Sequence, residues 1–117
     1  MSTTRQKTYA CPVQLTIDVV GGKWKPLILW LLRNGRPQRF NDLQRSIPEV
    51  AHKVLIQHLR QLERDGLVSR AAFSEPRLQV EYCLTEFGAT LRPALNEMAG
   101  WAKRHHRRFG ATLGTLR

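Results

Sequence analysis

The sequence predicts a mainly α-helical fold with one small β-hairpin, and three observations support this prediction. Before Gly66, apolar residues recur at helical spacing in several stretches. The pattern then changes to short β-type stretches at residues 67–73 and 79–84, with turn-forming residues between them. After Thr85 the helical spacing returns and continues to His105.

Two helices are expected near the N-terminus. Pro12 suits the first turn of one helix, and Gly22 belongs to the glycine pair that ends it. A second helix follows over residues 24–32, and Gly35 supplies its left-handed stop. Residues 36–40 are too few for a helix and predict a brief edge strand.

The next two predicted helices are joined by a tight turn. Asn41 is the expected N-cap of a short helix over residues 42–46, and Pro48 follows its end. The following helix runs over residues 51–65 and is closed by Gly66. One of its faces is apolar. The opposite face is polar and basic, and carries His52, Lys53, Gln57, Arg60, Gln61 and Arg64.

The last predicted helix follows the hairpin directly. Thr85 opens it, and its apolar residues step by three and four in the manner of a heptad seam. Pro93 lies within this stretch and is expected to kink the helix. The pattern is lost after residue 106.

The length of 117 residues and the 42% of hydrophobic residues fit one domain with its own core. Its predicted limits are residues 11–106. Residues 1–10 are expected to form a flexible basic arm, and residues 107–117 a disordered basic tail.

The charge balance requires an anionic partner. Lys and Arg number 19 against 9 Asp and Glu, a formal net charge of +10. Nucleic acid is favoured over an anionic membrane, because no basic helix gathers Trp and Phe on one apolar face. The longest apolar run, residues 27–32, is far below the roughly 20 residues that span a bilayer. With no apolar signal region at the N-terminus, a cytoplasmic protein without a membrane partner is expected.

The order of the elements is typical of a winged helix-turn-helix followed by a dimerisation helix. In that arrangement, residues 42–46 brace residues 51–65, which form the recognition helix in the major groove of double-stranded DNA. A charged helix face alone is more often only solvated. Here the net charge and the adjacent wing favour DNA binding.

The side chains suggest how the DNA contacts divide. The amides of Gln57 and Gln61 match adenine, whereas Lys53 and Arg60 match guanine. His52, near the start of the helix, is expected to meet a phosphate or a base. In the wing, Arg77 is expected to enter a minor groove. The phosphate backbone is assigned to Arg39, Arg45 and Lys25.

Five segments of the chain match a known protein family: CPV at 11–13, IDVVGGKWK at 17–25, RFNDL at 39–43, LRQLERDGLV at 59–68 and VEYCLTEFG at 80–88. On these segments the chain, from residue 11 to about residue 106, resembles the HxlR-type regulators of bacteria. The resemblance implies a winged-helix homodimer that binds a pseudo-palindromic operator. It also implies that the protomers pair through their first and last helices. The candidate dimerisation residues are Leu15, Val19, Leu91, Leu95, Met98 and Trp101.

One position departs from the family pattern. Ala51 stands where the family usually has Ser at the start of the recognition helix, so a helix cap is missing. Losing such a cap costs about 1 kcal/mol. A hydroxyl contact to DNA is lost with it.

The two cysteines form no disulfide framework and no metal-ligand spacing. Cys11 occupies the place of the cysteine that sensors of this family oxidise or alkylate, so the resemblance implies redox or electrophile sensing, with a small reactive molecule as effector. The alternative is a cysteine packed as a small buried residue in the dimer interface. Cys83, where the family usually has Ser, is expected on an outward strand position without a role.

No catalytic arrangement is apparent. The chain has no nucleophile elbow, no phosphate-binding loop and no pair of ligands at metal-binding spacing. We therefore expect no enzyme activity, no cofactor and no metal. The alternative to a specific regulator is a basic dimeric interaction module that binds nucleic acid without sequence preference.

Overall fold

The computed structural model of the chain describes residues 7–74 and 77–116. Helices dominate these two stretches, and one small sheet accompanies them. A 3-10 turn, His106–Phe109, follows the last helix. In chain order the elements are α1 (Pro12–Val20), α2 (Lys25–Leu31), β1 (Gln38–Arg39), α3 (Phe40–Ser46), α4 (His52–Arg64), β2 (Val68–Phe73), β3 (Gln79–Leu84), α5 (Glu86–Ala89) and α6 (Arg92–His105).

The segment before α1 is tied to the helix at two points. Cys11 is the N-cap in an extended conformation, and its N–H donates to Oε1 of Gln14 at 3.1 Å. The hydroxyl of Tyr9 hydrogen-bonds to the carboxylate of Asp18. Residues 1–6 of the predicted flexible arm lie outside the described residues.

The sheet has the strand order β1-β3-β2, and both pairings are antiparallel. The predicted edge strand is confirmed, because Gln38 lies opposite Tyr82. In the hairpin, Val68 is paired with Leu84 near the root and Phe73 with Gln79 near the tip. The strand β1 runs directly into α3, whose N-cap is Arg39 rather than the predicted Asn41.

The core lies between α2, α3, α4 and the root of the hairpin. It contains the apolar stripe predicted for residues 51–65, and each fully buried aliphatic side chain contributes about 1.5–3 kcal/mol. None of the helices in the described stretches is long and apolar enough to cross a bilayer. The buried core residues are Ile28, Leu29, Leu31, Leu32, Leu43, Ile47, Val50, Leu55, Leu59, Leu62, Leu67, Val68, Tyr82, Leu84 and Leu95.

The predicted single helix after Thr85 is wrong, because the chain forms two helices there. Thr85 does cap the first: its Oγ1 accepts from the N–H of Gly88 at 2.8 Å and donates to the carbonyl of Gly66 at 2.6 Å. This helix, α5, has only four residues. Pro93 lies in the first turn of α6, where its missing N–H costs no hydrogen bond, so it helps to start a helix and kinks none.

The tail predicted to be disordered over residues 107–117 begins with an ordered turn. Gly110 takes a left-handed conformation with φ of +65°, which closes the 3-10 turn. The N–H of Ala111 donates to the carbonyl of His106, and that of Gly110 to the carbonyl of Arg107, both at 3.0 Å. These two bonds form a Schellman stop. Beyond it Leu116 packs against the core, while residue 117 lies outside the described part of the chain.

Candidate nucleic-acid interface

Open clefts between the side chains of α4 run along its outward face and enclose about 610 Å³. We call these clefts the first groove. All six polar and basic residues predicted to read DNA lie along it, with Ile56 as the single apolar member of the lining. The face is available because Leu55, Leu59 and Leu62 point the other way into the core. The lining residues are His52, Lys53, Ile56, Gln57, Arg60, Gln61 and Arg64.

The start of α4 carries no side-chain cap. Ala51 is the N-cap, and its methyl side chain cannot accept a hydrogen bond from the N–H groups of the first turn. Ser46 does not replace it, because its hydroxyl donates to the carbonyl of Asp42 in its own helix at 3.0 Å. Gln44 braces the preceding turn instead, since its Nε2 donates to the carbonyl of Val50 at 2.8 Å. Uncapped N–H groups at a helix start attract an anion such as a phosphate.

His52 is held in place at this helix start. Its ring packs edge-on against the ring of Phe40, with 4.9 Å between the centroids. The aromatic contact links the first turns of α3 and α4. It therefore holds the start of α4 against the start of α3.

A second groove, of about 680 Å³, lies between α4 and the hairpin. It contains Arg60, which also borders the first groove, and the predicted wing residue Arg77. Residues 75 and 76 of the wing loop lie outside the described residues. The complete lining is Arg39, Phe40, Asn41, His52, Ile56, Arg60, Glu63, Arg70, Arg77, Leu78, Gln79, Val80 and Tyr82.

Sequence reasoning missed three members of this second groove, Glu63, Arg70 and Tyr82. Arg70 of β2 forms an ion pair with Glu63 of α4, with 3.6 Å between Nε and Oε1, which joins the wing to the recognition helix. Tyr82 is paired with Arg70 across the hairpin and is buried. Burial raises the pKa of its hydroxyl, while the nearby Arg70 opposes that shift. Apart from Val68, every residue of β2 is exposed, so the strand pattern gave no specific signal for Arg70.

The three predicted phosphate contacts differ in accessibility. Arg39 is exposed and borders the second groove. Arg45 is exposed but forms an ion pair with Asp42 one turn earlier. Lys25 is a correction: only 8% of it is exposed, because the first turn of α2 packs into the core. A phosphate contact through Lys25 would require its side chain to leave this buried position.

A histidine on the inner side of α4 has an unusual environment. His58 is half-buried, and its Nδ1 has no hydrogen-bond partner in the structure. Burial lowers the pKa of its imidazole, and the charge of Lys25 lowers it further, while Gln61 opposes the shift. The neutral imidazole is therefore the form that the fold favours.

The predicted dimerisation residues fall into two groups. Leu15, Val19 and Leu91 line one apolar groove of about 350 Å³ between α1 and the start of α6. On α6, Met98 and Trp101 are more than half exposed. The prediction of Leu95 as a dimerisation residue is wrong, because Leu95 is only 7% exposed and is buried in the core of its own protomer.

Both cysteines are free thiols. Cys11 is exposed at the start of α1. Cys83, expected to point outward, is half-buried, and its thiol donates to the carbonyl of Gly35 at 3.2 Å. Among the residues that the structure describes, no group of three or more His, Cys, Asp or Glu could hold a metal ion.

The chain is similar in sequence to known helix-turn-helix regulators. The family model of HxlR-like helix-turn-helix proteins matches residues 19–109. The HTH-type transcriptional regulator YkvN of Bacillus subtilis is 46% identical over 95 residues, which cover 81% of this chain and 80% of YkvN.

Solved structures of the redox regulator HypR are similar in fold. Its reduced form gives a TM-score of 0.80 at 37% identity, covering 87% of this chain and 100% of HypR. Its oxidised form gives 0.75 at 41% identity, covering 80% and 96%. These likenesses confirm the winged helix-turn-helix fold. The relatives are transcriptional regulators, which also agrees with the prediction that the chain is not an enzyme.

Proposed function

We propose, from the premise that this chain belongs to the HxlR-like helix-turn-helix family of transcriptional regulators, that it acts as a homodimer on a pseudo-palindromic operator. It does so in the cytoplasm, where the bacterial chromosome is accessible. Cys11 makes this binding responsive to oxidants or electrophiles.

The outward face of α4 carries the proposal. Gln57, Gln61, Lys53 and Arg60 stand along one groove, where they can address base edges while the core holds the helix rigid. The uncapped start of α4 near His52 receives a phosphate. The remaining contacts to phosphates and to the minor groove come from Arg39, Arg45, Arg64 and Arg77.

A dimer explains the apolar surface on the other side of the protomer. Leu15, Val19, Leu91, Met98 and Trp101 would be covered by the second copy. A two-fold dimer presents its recognition helices to half-sites about one helical turn, or roughly 34 Å, apart. The operator must then be a pseudo-palindrome.

The redox response rests on the position of Cys11. Its thiol is exposed at the N-cap of α1, and α1 carries part of the proposed dimer surface. An oxidant such as diamide takes two electrons and two protons from two thiols, which join as a disulfide. The second thiol belongs to Cys11 of the partner or to a small cellular thiol. That HypR is a redox regulator solved in oxidised and reduced forms supports this proposal.

Selection of bound sequences from a random DNA pool, with and without diamide, tests site and signal together. We expect one enriched pseudo-palindrome and a changed yield after oxidation. Cys11→Ser should keep the enriched sequence and lose the response, whereas Cys83→Ser should keep both. A pool that shows no enrichment would support the non-specific interaction module instead.

A further inference from the structure

The strongest unassigned feature is a cluster of cations in the last turn of α6 and in the 3-10 turn that follows it. Lys103 and Arg104 end α6, and Arg107 and Arg108 lie in the 3-10 turn that follows. All four side chains are exposed. We call these four residues the basic turn.

The basic turn has a defined conformation that hydrogen bonds and ring contacts hold in place. Besides the Schellman bonds around Gly110, the Nδ1–H of His106 donates to the carbonyl of Ala111 at 2.7 Å. Trp101 and Phe109 pack against each other, with 5.9 Å between the ring centroids. The return of Leu116 to the core anchors the far end. The cations are therefore displayed on a defined bend, which lowers the entropy lost when they bind a partner.

The positive charge of the basic turn is not neutralised by neighbours. In the stretches that the structure describes, no ion pair joins any of its four residues to an acid. Between residues 87 and 116, Glu97 is the sole acidic residue. Cations at a helix C-terminus do complement the helix dipole, at about 0.3–1 kcal/mol each. That role does not require Arg107 and Arg108, which lie beyond α6.

The basic turn is also separate from the recognition surface. Neither of the two grooves along α4 is lined by a described residue beyond Tyr82. The cations of the basic turn therefore belong to a different surface.

We propose that the basic turn is a second DNA contact, which binds the phosphate backbone of a duplex without sequence preference. The proposal rests on the proposed function, because recognition helices that hold the protein on DNA keep the basic turn at high local DNA concentration. Exposed, clustered, unpaired cations are what phosphate binding requires. An anionic membrane is the competing partner, because Phe109 of the turn is 66% exposed. Its ring packs against Trp101, which together with Met98 is assigned to the second protomer, so the apolar residues beside the basic turn are accounted for without a membrane.

Two variants with equal charge test the proposal. The first, Lys103→Gln/Arg104→Gln/Arg107→Gln/Arg108→Gln, removes the basic turn. The control, Lys7→Gln/Lys23→Gln/Arg36→Gln/Arg92→Gln, removes four exposed cations elsewhere. Each is titrated over a range of salt with the selected operator and with a scrambled duplex, both extended by about three helical turns, roughly 30 base pairs, on each side.

We expect the basic-turn variant to bind both duplexes more weakly and to keep the wild-type preference between them. Its salt slope should fall by about 0.9 for each phosphate that the variant no longer neutralises, and the control should stay near the wild type. The titration is repeated on duplexes without the extensions. If the difference between the basic-turn variant and the wild type then disappears, the basic turn binds phosphates in the extensions of the same duplex. Capture of a second labelled duplex on immobilised complex shows whether they belong to another.

A basic-turn variant with the salt slope of the control would overturn the proposal. So would loss of binding to phosphatidylglycerol vesicles together with unchanged DNA binding, which would assign the turn to a membrane. If the fourfold variant does not remain a folded dimer, Arg107→Gln/Arg108→Gln, outside α6, replaces it. If the wild type showed no preference for the operator, the proposed function would be refuted, independently of the salt slopes of the two variants.

Discussion

Lys25 at the start of α2 lies buried near His58 of the recognition helix, and the two share one electrostatic environment. Burial lowers the pKa of the His58 imidazole, and the positive charge of Lys25 lowers it further. A lysine that the sequence assigns to the DNA backbone thus belongs to the interior of the domain.

The first prediction concerns pH. The pKa of His58 lies below its ordinary value of 6.5, so the unfolded chain takes up a proton that the folded chain does not. The free energy of unfolding therefore falls as the pH drops below 6.5, until the pKa of the folded state is passed. His58→Gln should lose this part of the pH dependence, as measured by urea unfolding between neutral and acidic pH.

His52→Gln is the matched control, because it removes an exposed histidine from the same helix. Its urea unfolding is measured over the same pH range for comparison. A His58→Gln protein with the same pH dependence as the wild type would show that His58 is not responsible.

The second prediction separates Lys25 from the proposed phosphate contacts. Lys25→Met keeps the buried aliphatic stem and should leave the salt dependence of DNA binding unchanged. Arg39→Gln, at an exposed position, should reduce the salt slope by about 0.9. Fluorescence anisotropy over a salt series measures both. If Lys25→Met reduced the salt slope of DNA binding and Arg39→Gln did not, Lys25 would be a phosphate contact after all.

The third prediction concerns a glycine that the fold requires. A Cβ added to Gly88 would lie 2.0 Å from the carbonyl oxygen of Leu67, at the junction of α5 with the hairpin. Gly88→Ala must shift backbone, which costs about 1–3 kcal/mol or more. Gly114→Ala, whose Cβ meets nothing within 4 Å, should leave the free energy of unfolding near that of the wild type. Equal unfolding midpoints would contradict the packing described at Gly88.

The fourth prediction distinguishes the dimer surface from the protomer core. Trp101 is 53% exposed, so Trp101→Glu should give a folded monomer in light scattering that no longer binds the operator. Leu95 is buried, so Leu95→Ala should lower the free energy of unfolding by about 2–5 kcal/mol. A Trp101→Glu protein that stays dimeric would place the interface elsewhere.

The sequence predicted well wherever a periodic pattern reports burial. The stripe of Leu55, Leu59 and Leu62 identified α4, and its outward residues followed from the same periodicity. The limits of α1 and β3 were predicted correctly from Pro12 and from the strand pattern. Local chemistry and apolar spacing determine these features, so one chain suffices to predict them.

The errors come from features that periodicity does not encode. Lys25 and Leu95 have the residue types expected at a surface and in a seam, but the packing of α2 and α6 buries both. A proline such as Pro93 can either kink a helix or occupy its first turn. The chain breaks after α5 and α6 begins at Arg92, so Pro93 lies in a first turn, and the sequence pattern does not reveal that break. A Schellman stop needs little more than Gly110 in the left-handed conformation, so the ordered turn left no pattern in the sequence.

The reading of DNA sequence by α4 is tested most directly by a competition gel shift between the selected operator and a scrambled duplex. We expect the wild type to prefer the operator by about 10³-fold or more. Arg60→Ala should reduce that preference by about 1–3 kcal/mol at the base it contacts. Equal affinity of the wild type for both duplexes, or full preference in the Arg60→Ala protein, would contradict the assignment of α4 as the recognition helix.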